Sequence, residues 1–280
     1  MRNNLKKYYP IFALPTTAAF TVAFLFPFVM GLYLSFTRFT TISDAEFTGL
    51  SNYIEALTSK DFLNALWFTL KFTFVSVISV NLIAFSLAML LTRKIKGRNF
   101  FRTVFFMPNL IGGIVLGYIW QLIINGVLER MGVTITFDPK YGFWGLVVLM
   151  NWQMIGYMMI IYIAGIGNIP SDLIDAAKVD GANSFEILRH VIIPMVMPSI
   201  TICLFLTITN SFKLFDANLA LTDGAPSRQT AMLALDIYKT FYGTVGSQGI
   251  GQAKAVIFFL LLAAVSLIQL KFTREREVEA

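Results

Sequence analysis

The chain has 280 residues, of which 56% are hydrophobic and only 14% are charged, and its mean hydropathy is +0.70. A soluble domain of this length cannot bury so much apolar surface, so the composition excludes soluble classes and predicts a polytopic membrane protein. The net charge of +6 does not indicate a nucleic-acid partner, because the basic residues cluster beside apolar runs, where membrane orientation explains them. The single cysteine, Cys203, excludes an intrachain disulfide.

Six apolar runs are long enough to cross a bilayer as helices, which takes about 20 residues each. The predicted spans are 11–36, 66–91, 103–124, 143–167, 191–212 and 251–270. The first follows three basic residues, as in a signal peptide, but its uncharged run is too long for a signal peptide's apolar core. No span contains a clear interruption, and no soluble domain or strong repeat is evident. The sequence therefore predicts an all-α polytopic fold with one transmembrane domain over 1–280.

Lysine and arginine counts predict the orientation of these spans. If the N-terminus lies inside, the inner segments hold 13 basic residues and the outer loops hold six. Basic residues accumulate in cytoplasmic loops, so both termini are expected in the cytoplasm. The same topology places the loop 170–190 in the cytoplasm, and 217–250 becomes an outer loop.

The segment 170–198 is polar where it leaves the fourth span, and it predicts two short helices around a glycine. Pro170 suits a helix start. Gly181 permits the left-handed residue that ends a helix. Asn183, with Glu186 three residues later, matches a capping box that begins the second helix.

This segment resembles the EAA motif of ATP-binding-cassette (ABC) importer permeases. The family pattern stands here as Asp175-Ala176-Ala177, Asp180-Gly181-Ala182 and Val191-Ile192-Ile193-Pro194, with Asp175 in place of Glu and Val191 in place of Ile. The resemblance implies a cytoplasmic coupling helix that docks on an ATPase subunit. The ATPase-coupling residues that it implies are Asp175, Ala176, Ala177, Asp180, Gly181, Ala182 and Pro194. An unrelated amphipathic cytoplasmic loop is the alternative.

Three further stretches resemble carbohydrate-type permeases of the same family. They are 49–54 (Gly-Leu-Ser-Asn-Tyr-Ile), 102–108 (Arg-Thr-Val-Phe-Phe-Met-Pro) and 221–226 (Leu-Thr-Asp-Gly-Ala-Pro). Together with the EAA-like segment they cover nearly the whole chain. The resemblance implies a type I ABC importer permease fold and the import of sugars, mostly oligosaccharides. Glycerol phosphate or another small polar solute is the alternative substrate.

The resemblance also implies partners and a location. The partners are a second homologous permease in a heterodimer, an ATPase subunit dimer, an extracytoplasmic sugar-binding protein and membrane lipid, but no nucleic acid. The implied location is the bacterial plasma membrane, crossed several times. The chain holds no Gly-x-x-x-x-Gly-Lys-Ser/Thr loop, so ATP and Mg are expected on a separate ATPase and no cofactor on this chain.

Neutral hydrogen-bonding side chains suit a path for sugars, which present many hydroxyl groups. The candidate path residues are Thr207, Asn210, Ser211, Gln153, Tyr157 and Asn109. The first three share one helix face by spacing, as do Gln153 and Tyr157. The resemblance implies that these segments of the fourth and fifth spans meet the substrate. Hydrogen bonding between helices and a packed core tyrosine remain the alternatives.

Other functional classes lack their characteristic residues. An intramembrane enzyme needs paired catalytic groups, whereas the only histidine, His190, lies at a predicted membrane edge. That lone histidine also predicts no metal site. A stand-alone secondary transporter usually carries a carboxylate in mid-membrane, and the predicted spans contain none. Lys213 and Asp216, at the outer end of the fifth span, are expected to snorkel or to form a local ion pair. The sequence therefore predicts a transport subunit and no enzyme.

Overall fold

The computed structural model describes residues 13–93 and 95–275. Six of the described helices are long and apolar enough to cross a membrane. In chain order the elements are α1 (Ala13–Leu34), β1 (Thr37–Arg38), β2 (Glu46–Phe47), α2 (Ser51–Thr58), α3 (Lys60–Leu91), α4 (Arg98–Phe106), α5 (Gly113–Leu128), α6 (Pro139–Gly167), α7 (Ser171–Val179), α8 (Ser184–Phe212), α9 (Asp216–Leu221), α10 (Leu233–Gly243) and α11 (Gln248–Arg274). Residues 11 and 12 of the first predicted span lie outside the described residues.

Most of the long helices extend past the ends that the apolar runs predicted. α3 begins at Lys60 rather than at 66, and α8 begins at Ser184 rather than at 191. A polar residue interrupts an apolar run, but it does not end the helix. Its side chain extends into water while the backbone hydrogen bonds of the helix continue. The 32 residues of α3 extend over roughly 48 Å, more than the roughly 30 Å of the hydrocarbon layer.

The third predicted span, 103–124, is not one helix. α4 ends at Phe106, a 3₁₀ turn covers Met107–Leu110, and an extended Gly112 precedes α5. Pro108 explains the break, because it has no N–H to donate and its ring crowds the preceding turn. The expectation that no span is interrupted was therefore wrong.

The outer loop predicted over 217–250 contains helices α9 and α10. The buried Asn218 organises the turn between them, because its Nδ2 donates to the Thr230 carbonyl at 2.8 Å and its Oδ1 accepts from the Met232 N–H at 2.9 Å. The Asn218 amide thus supplies hydrogen-bond partners for backbone groups that have none in a regular helix or strand.

The chain divides into two compact units, each built from two separate stretches: 1–62 with 237–258, and 63–236 with 259–280. In the first unit, β1 and β2 pair antiparallel. The buried Asn52 donates from Nδ2 to the carbonyls of Ser35 and Thr37, at 2.9 and 2.8 Å, which ties α2 to the start of β1. The backbone N–H groups that donate to the Asp44 carboxylate hold the pKa of that group below its usual value.

The second unit holds a continuous apolar core contributed by α3, α5, α6, α8 and α9. α4 meets α6 without any side chain between them, because a Cβ on Gly156 would overlap the Phe105 carbonyl. This close approach fixes the 3₁₀ turn after α4 against the middle of α6. The prediction of a single domain stays a prediction.

Candidate functional site

A cavity of about 370 Å³ lies within the second unit. The 3₁₀ turn after α4, the middle of α6, the end of α8 and the start of α9 all contribute to it. Its lining residues are Asn109, Gly113, Met150, Gln153, Met154, Asn210, Lys213, Leu214, Phe215, Asp216 and Ala217. Three predicted path residues, from three separate segments of the chain, therefore meet at one cavity.

Small residues bring α9 close enough to form one wall. A Cβ on Gly117 would lie 2.6 Å from the Ala220 Cβ, and a Cβ on Gly113 would lie 2.8 Å from the Asp216 Cβ. The glycines on α5 thus allow the backbones of α5 and α9 to pack closely, with no side chain between them at these positions. Gln121 Nε2 donates to the Leu221 carbonyl at 3.0 Å and caps the end of α9.

The three carboxamide side chains of the cavity are held by local bonds. Gln153 Nε2 donates to the Ile111 carbonyl at 3.3 Å, and Asn210 Nδ2 donates to the Leu206 carbonyl at 2.8 Å. Asn109 Nδ2 lies 3.7 Å from the Met154 sulfur. In each case the amide nitrogen is engaged and the side-chain oxygen stays available as an acceptor. The cavity can therefore accept hydrogen bonds from a polyhydroxylated solute.

Two opposite charges also line the cavity. Lys213 and Asp216 are both exposed, and among the described residues they form no ion pair with each other. Of the two expectations for these residues, the local ion pair is therefore wrong, and snorkelling stays a prediction. Within the described part of the chain, no cluster of His, Cys, Asp or Glu side chains is placed to hold a metal ion.

The other predicted path residues lie elsewhere in the core. Thr207 and Ser211 are fully buried, whereas their neighbour Asn210 is exposed. Tyr157 is partly buried and packs against the core, with its ring centroid 6.4 Å from that of Phe106. Their contact with a substrate stays a prediction. The geometry favours interhelical bonding for Thr207 and packing for Tyr157, whereas the buried Ser211 hydroxyl has no hydrogen-bond partner among the described residues.

Thr207 belongs to a polar network that the sequence analysis missed. Asn81 Nδ2 donates to Thr207 Oγ1 at 3.2 Å, and the Tyr162 hydroxyl donates to Asn81 Oδ1 at 2.8 Å. The network joins α3, α6 and α8 in the apolar core. An asparagine in the middle of an apolar span was the available signal, since such residues commonly bond across helices in membranes.

The segment after α6 forms the two predicted helices around a glycine. Gly181 has φ of +83° and follows α7. The Ala182 N–H donates to the Ala177 carbonyl at 2.9 Å and the Gly181 N–H donates to the Lys178 carbonyl at 3.0 Å. These two bonds form a Schellman motif, which requires a left-handed residue where Gly181 stands.

The predicted capping box is also confirmed. Glu186 Oε2 accepts from the Asn183 N–H at 2.7 Å, while Asn183 Oδ1 accepts from the Glu186 N–H at 3.0 Å. The two turns together fix the angle between α7 and α8.

α7 itself has no buried residue, and its side chains Leu173 and Val179 are 44% and 87% exposed. Asp175 is bonded to Lys178 at 2.8 Å on the exposed surface. Pro194 lies in α8 just after a π-helical turn over Leu188–Ile192, which accommodates the missing proline N–H. Ile174 and Ala177 are partly buried against the core, whereas the other residues of α7 are exposed.

Residues 80–277 match the family described as "Binding-protein-dependent transport system inner membrane component". The chain belongs to this family. It is therefore an inner-membrane permease subunit of a binding-protein-dependent ABC transporter, and subunits of this family are not catalytic themselves. The functional class expected from the sequence, a permease subunit of an ABC transporter, is confirmed.

Two curated relatives align along nearly the whole permease. One, from Thermoanaerobacterium thermosulfurigenes, is named "Probable starch degradation products transport system permease protein" and is 45% identical over 97% of this chain and 96% of its own length. Another, the "Multiple sugar-binding transport system permease protein" of Streptococcus mutans, is 30% identical over 92% of each chain.

A solved structure confirms the fold of the permease. It is that of a bacterial ABC transporter involved in the import of alginate, with a TM-score of 0.82, 20% identity and 98% coverage of both chains. The all-α, six-helix fold of a type I ABC importer permease is thereby confirmed. The cytoplasmic location of both termini stays a prediction.

Proposed function

We propose that this permease forms half of the translocation path of an ATP-driven importer of sugars, mostly oligosaccharides. The observation that carries the proposal is the cavity of about 370 Å³ where Asn109, Gln153 and Asn210 meet. Neutral acceptors on three separate segments match the hydroxyl groups of a saccharide and do not require a fixed charge on it. The names of the two relatives, one for starch degradation products and one for multiple sugars, support the same substrate class.

The coupling segment links this cavity to a separate ATPase, which binds ATP and Mg. α7 is exposed except at Ile174 and Ala177, which pack against the core, and the two bonded turns at its end transmit a push or pull on α7 into α8. α8 carries Asn210 at its other end, so movement of α7 reaches the cavity through one continuous helix. The residues proposed to couple are Asp175, Ala176, Ala177, Asp180, Gly181, Ala182 and Pro194.

The remaining parts of the transporter are other chains. A second, homologous permease supplies the other half of the path, and a dimer of ATPase subunits docks on the coupling segments. An extracytoplasmic binding protein delivers the sugar. Both termini and α7 lie in the cytoplasm, as the distribution of basic residues indicates.

Lys213 supports a second candidate substrate. A lysine ammonium in the cavity wall can bind a phosphate, so glycerol phosphate or another small anionic solute is the alternative. Asp216 in the same wall repels an anion, and this favours the neutral sugar.

The test of this function starts from the permease purified in mild detergent with its bound partners. We expect an ATPase and a second six-span permease to co-purify, and ATP hydrolysis to rise when a sugar-loaded binding protein is added. Maltodextrins of increasing length and glycerol phosphate would be compared as solutes. A chain that purifies alone, or turnover that responds only to glycerol phosphate, would contradict the sugar importer.

Substitution of Asn210 tests whether its side chain contacts the sugar or only packs between helices. We expect Asn210→Ala to lower sugar-stimulated ATP hydrolysis severalfold, because it removes one acceptor from the cavity. The matched variant Thr207→Val, one turn away and buried, breaks the bond from Asn81 and should cost about 0.6–1.7 kcal/mol of stability with sugar stimulation retained. Sugar-dependent turnover and thermal unfolding of the complex measure the two effects. Equal stimulation by Asn210→Ala and the unmodified permease would remove Asn210 from the path.

A further inference from the structure

The segment that joins α3 to α5 concentrates positive charge. Arg93, Lys96 and Arg98 are all exposed. The sequence has no acidic residue between Asp61 and Glu129. Over the described part of the chain, none of the three cations forms an ion pair. Their charge is therefore not balanced by the described part of this chain.

The same segment exposes large apolar side chains beside these cations. Phe100 is 68% exposed, Phe101 is 44% exposed and Val104 is 45% exposed. All three belong to α4, which is too short to cross a membrane. Short helices that combine basic and aromatic residues lie in the membrane interface, with the cations among the headgroups and the aromatic rings below them.

The first turn of α4 also has no acidic side chain to balance its charge. Its N-cap is Gly97, with φ of +78° and no side-chain cap, and no acidic residue lies in the first turn. A helix N-terminus carries partial positive charge, and Arg98 adds to it instead of compensating it. A phosphate placed there would accept from free backbone N–H groups and from arginine together.

Arg102 holds this arrangement in place. Its Nη2 donates to the Leu91 carbonyl at 2.9 Å, which joins α4 to the last turn of α3. Its buried Nε has no hydrogen-bond partner among the described residues. The three cations therefore lie on a segment that this hydrogen bond holds against the end of the membrane-crossing helix α3.

We propose that Arg93, Lys96 and Arg98 bind the phosphate headgroup of an anionic phospholipid, with Phe100 and Phe101 in its acyl region. The charge of the cations selects an anion, and the adjoining aromatic rings select one that carries an apolar tail. A soluble phosphate would satisfy the cations only. The site is independent of the solute that the permease transports, so failure of either proposal leaves the other standing.

The test uses the full chain, purified in mild detergent and stripped of lipid. It would be titrated with dioleoylphosphatidylglycerol or dioleoylphosphatidylcholine, and bound lipid would be counted by native mass spectrometry. We expect phosphatidylglycerol to be retained and phosphatidylcholine to be lost. The triple variant Arg93→Gln, Lys96→Gln, Arg98→Gln should bind phosphatidylglycerol about ten-fold more weakly or worse, because each cation near the surface contributes separately.

A matched variant controls for net charge. Lys60→Gln, Arg130→Gln, Lys140→Gln removes the same charge from three exposed positions elsewhere, and should bind phosphatidylglycerol like the unmodified chain. Equal losses in both triple variants, or equal retention of the two lipids, would overturn the proposal.

Two further readouts distinguish other occupants. Phe100→Ser, Phe101→Ser should weaken retention of phosphatidylglycerol. If that variant binds lipid normally and inorganic phosphate competes, the site belongs to a soluble anion and the proposal fails. It fails equally if the basic triple variant keeps its lipid but loses a co-purifying ATPase, because the segment would then be a protein-docking face.

Discussion

Replacing Gly181 with valine is expected to reduce sugar uptake by about ten-fold or more while the permease still inserts in the membrane. Gly181 has φ of +83°, and no atom lies within 4 Å of the position where its Cβ would be. The penalty is therefore conformational and not steric crowding. A left-handed residue costs about 1–2 kcal/mol for an ordinary side chain and more for a β-branched one, and a penalty of that size lowers the equilibrium constant for the bonded turn by about ten-fold or more. Uptake by the assembled transporter, normalised to permease in the membrane fraction, measures the effect.

The control for this prediction is Gly181→Asn. Asparagine tolerates the left-handed conformation, so this variant adds a side chain of comparable size while keeping the turn. We expect it to retain most of the uptake. If both variants transport normally, α7 does not couple ATP hydrolysis to transport through a fixed turn. If both lose transport equally, transport requires a surface without a side chain at position 181 and does not depend on the turn conformation.

The coupling segment could be predicted from the sequence because its structure is local. Gly181 ends one helix, and Asn183 with Glu186 begins the next, each through bonds between residues a few positions apart. Such turns depend on residue type and short spacing, both of which a sequence displays directly. The six apolar helices were predictable for a related reason, since length and hydropathy suffice.

The cavity could be predicted only in part. Asn109, Gln153 and Asn210 were each proposed as path residues, but nothing in one sequence shows that three distant segments converge. The sharing of one face by Thr207, Asn210 and Ser211 was inferred from helical spacing. That spacing does not say which side of the helix meets other helices, and Thr207 and Ser211 proved to be buried. Which face of α8 is buried depends on packing against segments that are distant in the sequence.

The break in the third predicted span shows a similar limit. Pro108 was visible in the sequence, but prolines also occur within membrane helices that continue past them, such as Pro198 in α8. What distinguishes Pro108 is the contact that its segment makes with α6 at Gly156. The backbone before the turn lies directly against a position without a side chain. This contact is the feature of the fold that a single methyl group would disturb most.

Gly156→Ala is therefore expected to destabilise the permease more than a Cβ added at any other described glycine. The added Cβ would overlap the Phe105 carbonyl and would lie 2.7 Å from the Phe106 nitrogen. A backbone atom cannot rotate away as a side chain can, so α4 and the turn that carries Asn109 must move off α6. Overpacking of this kind costs about 1–3 kcal/mol, and we expect the upper end of that range. Thermal unfolding of the purified complex measures it, and sugar-stimulated ATP hydrolysis should fall with it because Asn109 moves.

The same helix provides the matched control for Gly156→Ala. Gly167 ends α6, and no atom lies within 4 Å of a Cβ placed there. Gly167→Ala should leave sugar stimulation unchanged and should leave stability equal or slightly higher, because alanine favours the helix by up to about 1 kcal/mol. If Gly156→Ala unfolds at the same temperature as Gly167→Ala, the backbone contact between α4 and α6 is absent. The cavity would then need a different wall, because Asn109 reaches it only through the turn that this contact fixes.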